Sequence, residues 1–150
     1  MKIVLNNIYN QFDLSTLAVK EYFKLKGIEV YIYEIANDEN GKAFLRKAEA
    51  GKDRISWCYC FSKDLGKQLY PQQISTEDWE KHLIDYLKID RTDKDLISVV
   101  ERLGKKAESR YKDNCLRIIE VPDSTDWYID EMCGTECVKI GINNEFKTFY

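Results

Sequence analysis

The stretch from Thr92 to Ile140 constrains the fold more than any other part of the chain. Thr92-Asp93-Lys94-Asp95 sets a capping residue ahead of an acidic one three places later, and Leu96, Val99, Val100, Leu103 and Ala107 follow at helical spacing. The pattern predicts a helix over Thr92 to Ala107, with Gly104 inside it at a cost of about 1 kcal/mol relative to alanine. Cys115 to Val121 then has strand composition. Cys133-Gly134-Thr135 makes a hairpin tip between strands Trp127–Met132 and Glu136–Ile140. A period of two divides the first of these strands, with Asp126, Tyr128 and Asp130 on one face and Trp127, Ile129 and Glu131 on the other. Burying unpaired carboxylates is costly, so Trp127 and Ile129 are expected to face the core and Asp126, Tyr128 and Asp130 solvent or a partner.

The opening of the chain has a β-α-β order. Lys2 to Tyr9 starts apolar and β-branched, although Asn6-Asn7 argues for an early end. Ser15 caps a helix carried by Leu14, Leu17, Ala18, Tyr22 and Leu25, and Gly27 stops it. Ile28 to Ile35 is strand-like. Asn37 to Gly41 forms a turn, and Ala43, Phe44, Lys47 and Ala48 suggest a short helix ending at Gly51. Trp57 to Phe61 is either a strand or a packed loop. Ser75-Thr76-Glu77-Asp78 opens a helix with Trp79, Leu83, Ile84 and Leu87 on one face. No repeat, low-complexity tract or dividing linker appears. The expectation is one domain over 1–150, α+β or α/β, with a small mixed sheet, an N-terminal β-α-β unit, central helices and a C-terminal hairpin; the centre, around 38–90, is expected to be variable.

Composition narrows the function classes. A net charge of -3, from 26 carboxylates against 23 Lys and Arg, offers no field for a phosphate backbone, so nucleic acid is a poor partner. No apolar run approaches the roughly 20 residues of a membrane span, and the first residues are too short an apolar run for a signal peptide, so the chain is expected in the cytosol without a membrane partner. The five cysteines at 58, 60, 115, 133 and 137 read as free thiols in that compartment.

No catalytic motif is spelled out. His82 is the single histidine, and no recognised motif links it to a nucleophile. Cys58 and Cys60 are one residue short of the common zinc spacing and only Cys133 with Cys137 fits it, so the thiols read as buried or incidental and no metal and no cofactor are expected. Asp123, Asp126, Asp130, Glu131 and Glu136 form an acidic group whose ordinary reading is a solvated strand face; a metal-dependent hydrolase would need two of them beside one ion. A ligand is expected instead where the first strand meets the next helix, since such a junction offers amide donors and a positive dipole end. Asn6, Asn7, Tyr9, Asn10 and Phe12, with Tyr31 and Tyr33 as stacking surfaces, are the candidates. The competing reading is a loop that only orders its own backbone.

Two blocks at the ends of the chain carry a family likeness. Lys2-Ile3-Val4-Leu5-Asn6-Asn7 with Phe12-Asp13-Leu14-Ser15, and the run from Arg91 to Gly104 followed by Leu116 to Asp123 and Trp127 to Glu131, resemble a family of small proteins encoded by tailed bacteriophages. Cys133-Gly134 departs from that pattern, which has Asp-Gly before the final strand. The resemblance implies a phage origin, an accessory role in counter-defence or host takeover, and a place in the cytoplasm of the infected bacterial host; it supplies no catalytic residues. The function expected is non-enzymatic sequestration of a small host signalling nucleotide. The alternative is a protein that blocks a host defence factor. A small domain encloses a nucleotide most readily between subunits, so a homodimer is expected.

Overall fold

Ile3, Val4 and Leu5 are fully buried consecutive residues, which requires packed layers on both faces of one strand. The computed structural model describes residues 1–8, 12–55, 58–109, 115–123, 125–142 and 145–149. Strand β1 (Lys2–Asn6) pairs antiparallel with β6 (Leu116–Glu120), Val4 opposite Ile118. Strand alternation sends Val4 to one side and Ile3 and Leu5 to the other. Val4 meets α1 (Thr16–Leu25) and α3 (Lys94–Leu103) through Ala18, Val19, Leu96, Val99 and Val100. Ile3 and Leu5 meet Val138 and Ile140 of β8 (Thr135–Ile142), with Trp127 and Ile129 of β7 (Trp127–Met132) packed alongside. The β1–β6 ribbon therefore lies between a helical layer and a C-terminal sheet ordered β7-β8-β9, closed by β9 (Glu145–Phe149).

Beyond the helices lies a four-stranded antiparallel sheet ordered β4-β2-β3-β5: β2 (Tyr31–Asn37), β3 (Ala43–Lys47), β4 (Cys58–Phe61) and β5 (Gln68–Leu69). Ile32 and Cys60 face the helices, while Tyr33, Leu45, Phe61 and Leu69 form a separate cluster on the far face, flanked by Trp79 of α2 (Thr76–His82). The architecture is α+β, with β1, α1 and β2 in the expected order. Every strand pair described is antiparallel, and β1 and β2 join different sheets.

Several elements depart from the sequence expectations. Ala43–Lys47 is a strand, not a helix. Asp38 Oδ1 accepts the N–H groups of Asn40 and Lys42, and Gly41 takes φ 76°, so a tight turn folds β3 back onto β2 with Leu45 opposite Ile35. Gly104 does not sit inside α3 but ends it, at φ 53°. The cap is Asp93, whose side chain accepts the Asp95 N–H. Helix α2 stops at His82 because the next residues turn extended and Leu83 bridges Phe61, so Leu83, Ile84 and Leu87 continue no helical face. Ser15 caps α1 as expected, accepting the Ala18 N–H. The hairpin tip is also where the pattern put it, with Cys133 and Gly134 at φ 55° and 83°. No helix among the described residues is long and apolar enough to cross a membrane.

Trp127 and Ile129 pack against the β1–β8 core while Tyr128 is 48% exposed, as the alternation required. The Trp127 ring is only partly buried, which sets the expected cost of Trp127→Ala at about 2–3 kcal/mol, below that of a fully enclosed ring. Asp130→Asn should change stability by less than about 0.5 kcal/mol. Urea melts of both variants check the assignment; a larger loss from Asp130→Asn would reverse it.

Candidate functional site

Asn6 is 2% exposed, and its side-chain amide donates to the Ile8 carbonyl at 2.9 Å and the Gly134 carbonyl at 2.6 Å. Its backbone N–H donates to Glu136 Oε2 at 2.7 Å. Glu136 also receives a two-pronged contact from Arg91, Nη1 to Oε2 at 3.1 Å and Nη2 to Oε1 at 3.0 Å. The Arg91 guanidinium lies 3.1 Å from the centroid of the buried Phe12 ring. Arg117 Nη2 donates to the Glu136 carbonyl at 2.8 Å. Burial lowers the Arg91 pKa, against the opposing pull of Glu136. Asn6 and Phe12 thus belong to an internal polar junction that fastens β1 to the hairpin tip. Asn7 donates its backbone N–H to the Cys115 carbonyl, while Tyr9 and Asn10 lie outside the described residues.

Tyr31 and Tyr33 do not join this junction. Strand alternation turns both to the far face of their sheet, away from the Ile32 side that meets Val4 and Phe12. The Tyr33 ring is fully buried, and its hydroxyl lies 3.1 Å from both Asp64 Oδ1 and the Gly66 carbonyl. Burial pushes its pKa up to about 12. The Tyr31 hydroxyl donates to Glu29 Oε2 at 2.7 Å, and Lys47 Nζ sits 4.8 Å from the ring centroid. The seven candidates are therefore not gathered around one ligand-sized space by the residues that can be placed.

The C-terminal acidic group is dispersed as well. Asp123 binds the Met1 amine at 2.8 Å, Glu136 is committed to Arg91, and Asp130 stands 3.7 Å from Lys139 Nζ. No cluster of three or more His, Cys, Asp or Glu able to hold a metal ion occurs among the described residues. Cys115 is buried, as its strand composition indicated. Cys58 and Cys60 share the helix-facing side of β4; the hydrogen bond to Cys58 and burial push the Cys60 thiol well above its ordinary range, so it keeps its proton. Asp126, just ahead of β7, and Tyr128, on it, are exposed.

A ligand-sized space lies elsewhere, where α1 ends and the chain turns into β2. Gly27 takes φ 73° beyond the C-cap Lys26, which swings Ile28, Glu29 and Val30 back beside the helix. The result is a cleft of about 540 Å³ lined by Lys20, Lys24, Gly27, Ile28, Glu29 and Val30. Lys20 and Lys24 stand one helical turn apart on its wall, and neither ammonium forms an ion pair among the described residues. Ile28 is 39% exposed and gives the cleft an apolar patch. Glu29 contributes one carboxylate, which already accepts the Tyr31 hydroxyl. Nothing in the local pattern announced this site: Lys20 and Lys24 read as ordinary solvated helix positions, and the only signal was their four-residue spacing just ahead of the Gly27 stop.

No protein-family model, curated protein or solved structure matches the chain.

The internal role of Asn6 has a direct consequence. Asn6→Ala should cost about 1–3 kcal/mol, because the Gly134 and Ile8 carbonyls lose their donor inside the fold. A thermal melt that leaves Asn6→Ala unchanged would free that amide for a ligand.

Proposed function

We propose that this chain binds and sequesters a small host signalling nucleotide without converting it, in the service of phage counter-defence or host takeover. The observation that carries the reading is the Lys20–Lys24 cleft. Its 540 Å³ falls within the roughly 300–1,000 Å³ of small-molecule pockets. Two ammoniums one helical turn apart, with no carboxylate partner among the described residues, repel one another, and a phosphate between them removes that repulsion. Ile28 and Val30 offer an apolar surface for a base, and the Glu29 carboxylate offers an acceptor for its amino group. The phage resemblance at the two ends of the chain supplies the biological setting. A second reading, blocking of a host defence protein, draws on β7: it is an edge strand of its sheet, and it exposes Tyr128 and, at 72%, Met132.

Calorimetric titration with cyclic mononucleotides, cyclic dinucleotides and nucleotide sugars tests the first reading. The expected result is binding of at least one of them that weakens about 10-fold or more in a Lys20→Ala, Lys24→Ala double variant, in line with roughly 1.4 kcal/mol for a decade of affinity. Binding that the double variant leaves intact would move the site away from this cleft. No binding across the panel, with a stable host protein recovered on the immobilised chain, would favour the blocking reading.

A further inference from the structure

The return of the chain after α2 places two distant side chains against each other. Phe61 bridges Leu83, the Ser62 N–H donates to the His82 carbonyl at 2.9 Å, and the Ile84 N–H donates to the Cys60 carbonyl at 2.8 Å. Ser62 and His82, which flank that bridge, are thereby held opposite each other, with Ser62 Oγ 3.1 Å from His82 Nδ1 and 3.5 Å from the His82 carbonyl oxygen. On the other side of the ring, Asp78 Oδ1 stands 3.9 Å from Nε2, one helical turn earlier in α2. Lys63 Nζ lies 2.7 Å from that same oxygen, and the contact holds the Asp78 carboxyl below its ordinary range. The carboxylate stays ionised beside the imidazole. The His82 and Asp78 side chains are 25% and 23% exposed, so the imidazole is not sealed from solvent.

We propose that Ser62 is a nucleophile, His82 its general base and Asp78 the positioning residue, and that the three transfer acyl groups from small carboxylic esters. A hydroxyl within hydrogen-bond reach of a base, with a third group behind the base, is the arrangement that activates a weak nucleophile. The proposal goes beyond nucleotide sequestration and does not rest on it, since none of the three residues lines the Lys20–Lys24 cleft.

With the imidazole proton on Nε2, Nδ1 takes the Ser62 hydroxyl proton as Oγ bonds to the ester carbonyl carbon. The carbonyl π pair moves onto its oxygen. The N–H of Lys63, the residue after the nucleophile, meets no acceptor among the described residues and donates to that oxyanion. The tetrahedral species collapses, the C–O bond to the alkoxide breaks, and Nδ1 returns the proton to the leaving alcohol. Water activated by the same nitrogen then splits the Ser62 ester, releasing the carboxylic acid and restoring the hydroxyl. Ester and water are consumed; acid and alcohol are formed. The imidazolium formed in each step is stabilised by Asp78.

The test treats the folded chain with a fluorophosphonate probe and follows hydrolysis of p-nitrophenyl acetate. The expected result is one phosphonate per chain, with fluoride lost, mapped by peptide mass spectrometry to Ser62. Ser62→Ala should abolish both label and turnover. His82→Gln should slow labelling about 100-fold or more, the contribution of a positioned general base. Asp78→Asn should lower the maximal acylation rate while leaving the half-saturating ester concentration unchanged, a split that a merely structural role does not produce. No label on the folded chain, a label on another residue, or full turnover by Ser62→Ala would overturn the proposal. The position of the label on the unaltered protein decides the matter even where a variant fails to fold.

Discussion

Arg91 and Glu136 lie 45 residues apart and meet with side chains only 15% and 8% exposed. Taking two such charges out of water costs several kcal/mol for each ion, and only close geometry with further hydrogen bonds offsets it. Here the guanidinium makes two contacts to the carboxylate, its face rests on Phe12, and the Asn6 N–H donates to the same carboxylate. Arg91 also gives its backbone carbonyl to the Val4 N–H. The pair thus joins the approach to α3, strand β1 and strand β8 at one point. The layers on either side of the β1–β6 ribbon are set by where this junction holds it.

The consequence for function is a division of labour. The junction absorbs the polar groups at the end of β1, which a strand-to-helix turn would otherwise present to a ligand. The far face of the four-stranded sheet absorbs Tyr33 in the same way, between Asp64 and Gly66. The cleft behind α1, between that helix and the approach to β2, keeps the Lys20 and Lys24 ammoniums unpaired among the described residues. The Ser62–His82 pair stands apart from that cleft, at the closing bridge of the same sheet.

Local signals made a good part of this fold legible. Ser15 ahead of the α1 stripe, Cys133-Gly134 between two alternating strands, and the Trp127–Ile129 face each depend on residues a few positions apart, and each is found where the pattern put it. Ala43–Lys47 misled because Phe44, Lys47 and Ala48 suit a helix, while the Asp38–Gly41 turn that commits them to a strand acts through the partner strand. Gly104 has the pattern of an interruption inside a helix, and its positive φ makes it a terminus. The Arg91–Glu136 and Ser62–His82 contacts had no local signature, since each is made by chain segments that only the completed fold brings together. For the same reason, Asn6 looked like a free amide at a strand end.

The claim that the buried Arg91–Glu136 pair holds the layers together is tested most directly by a double-mutant cycle in denaturant, with Arg91→Met, Glu136→Leu and their combination. The account predicts that each single change costs about 3–5 kcal/mol, because it strands the other charge in the interior, and that the combination costs far less than the sum, leaving a coupling of about 2 kcal/mol or more. Single losses that add to within about 0.5 kcal/mol would contradict it, and would make the pair two independent side chains that happen to touch.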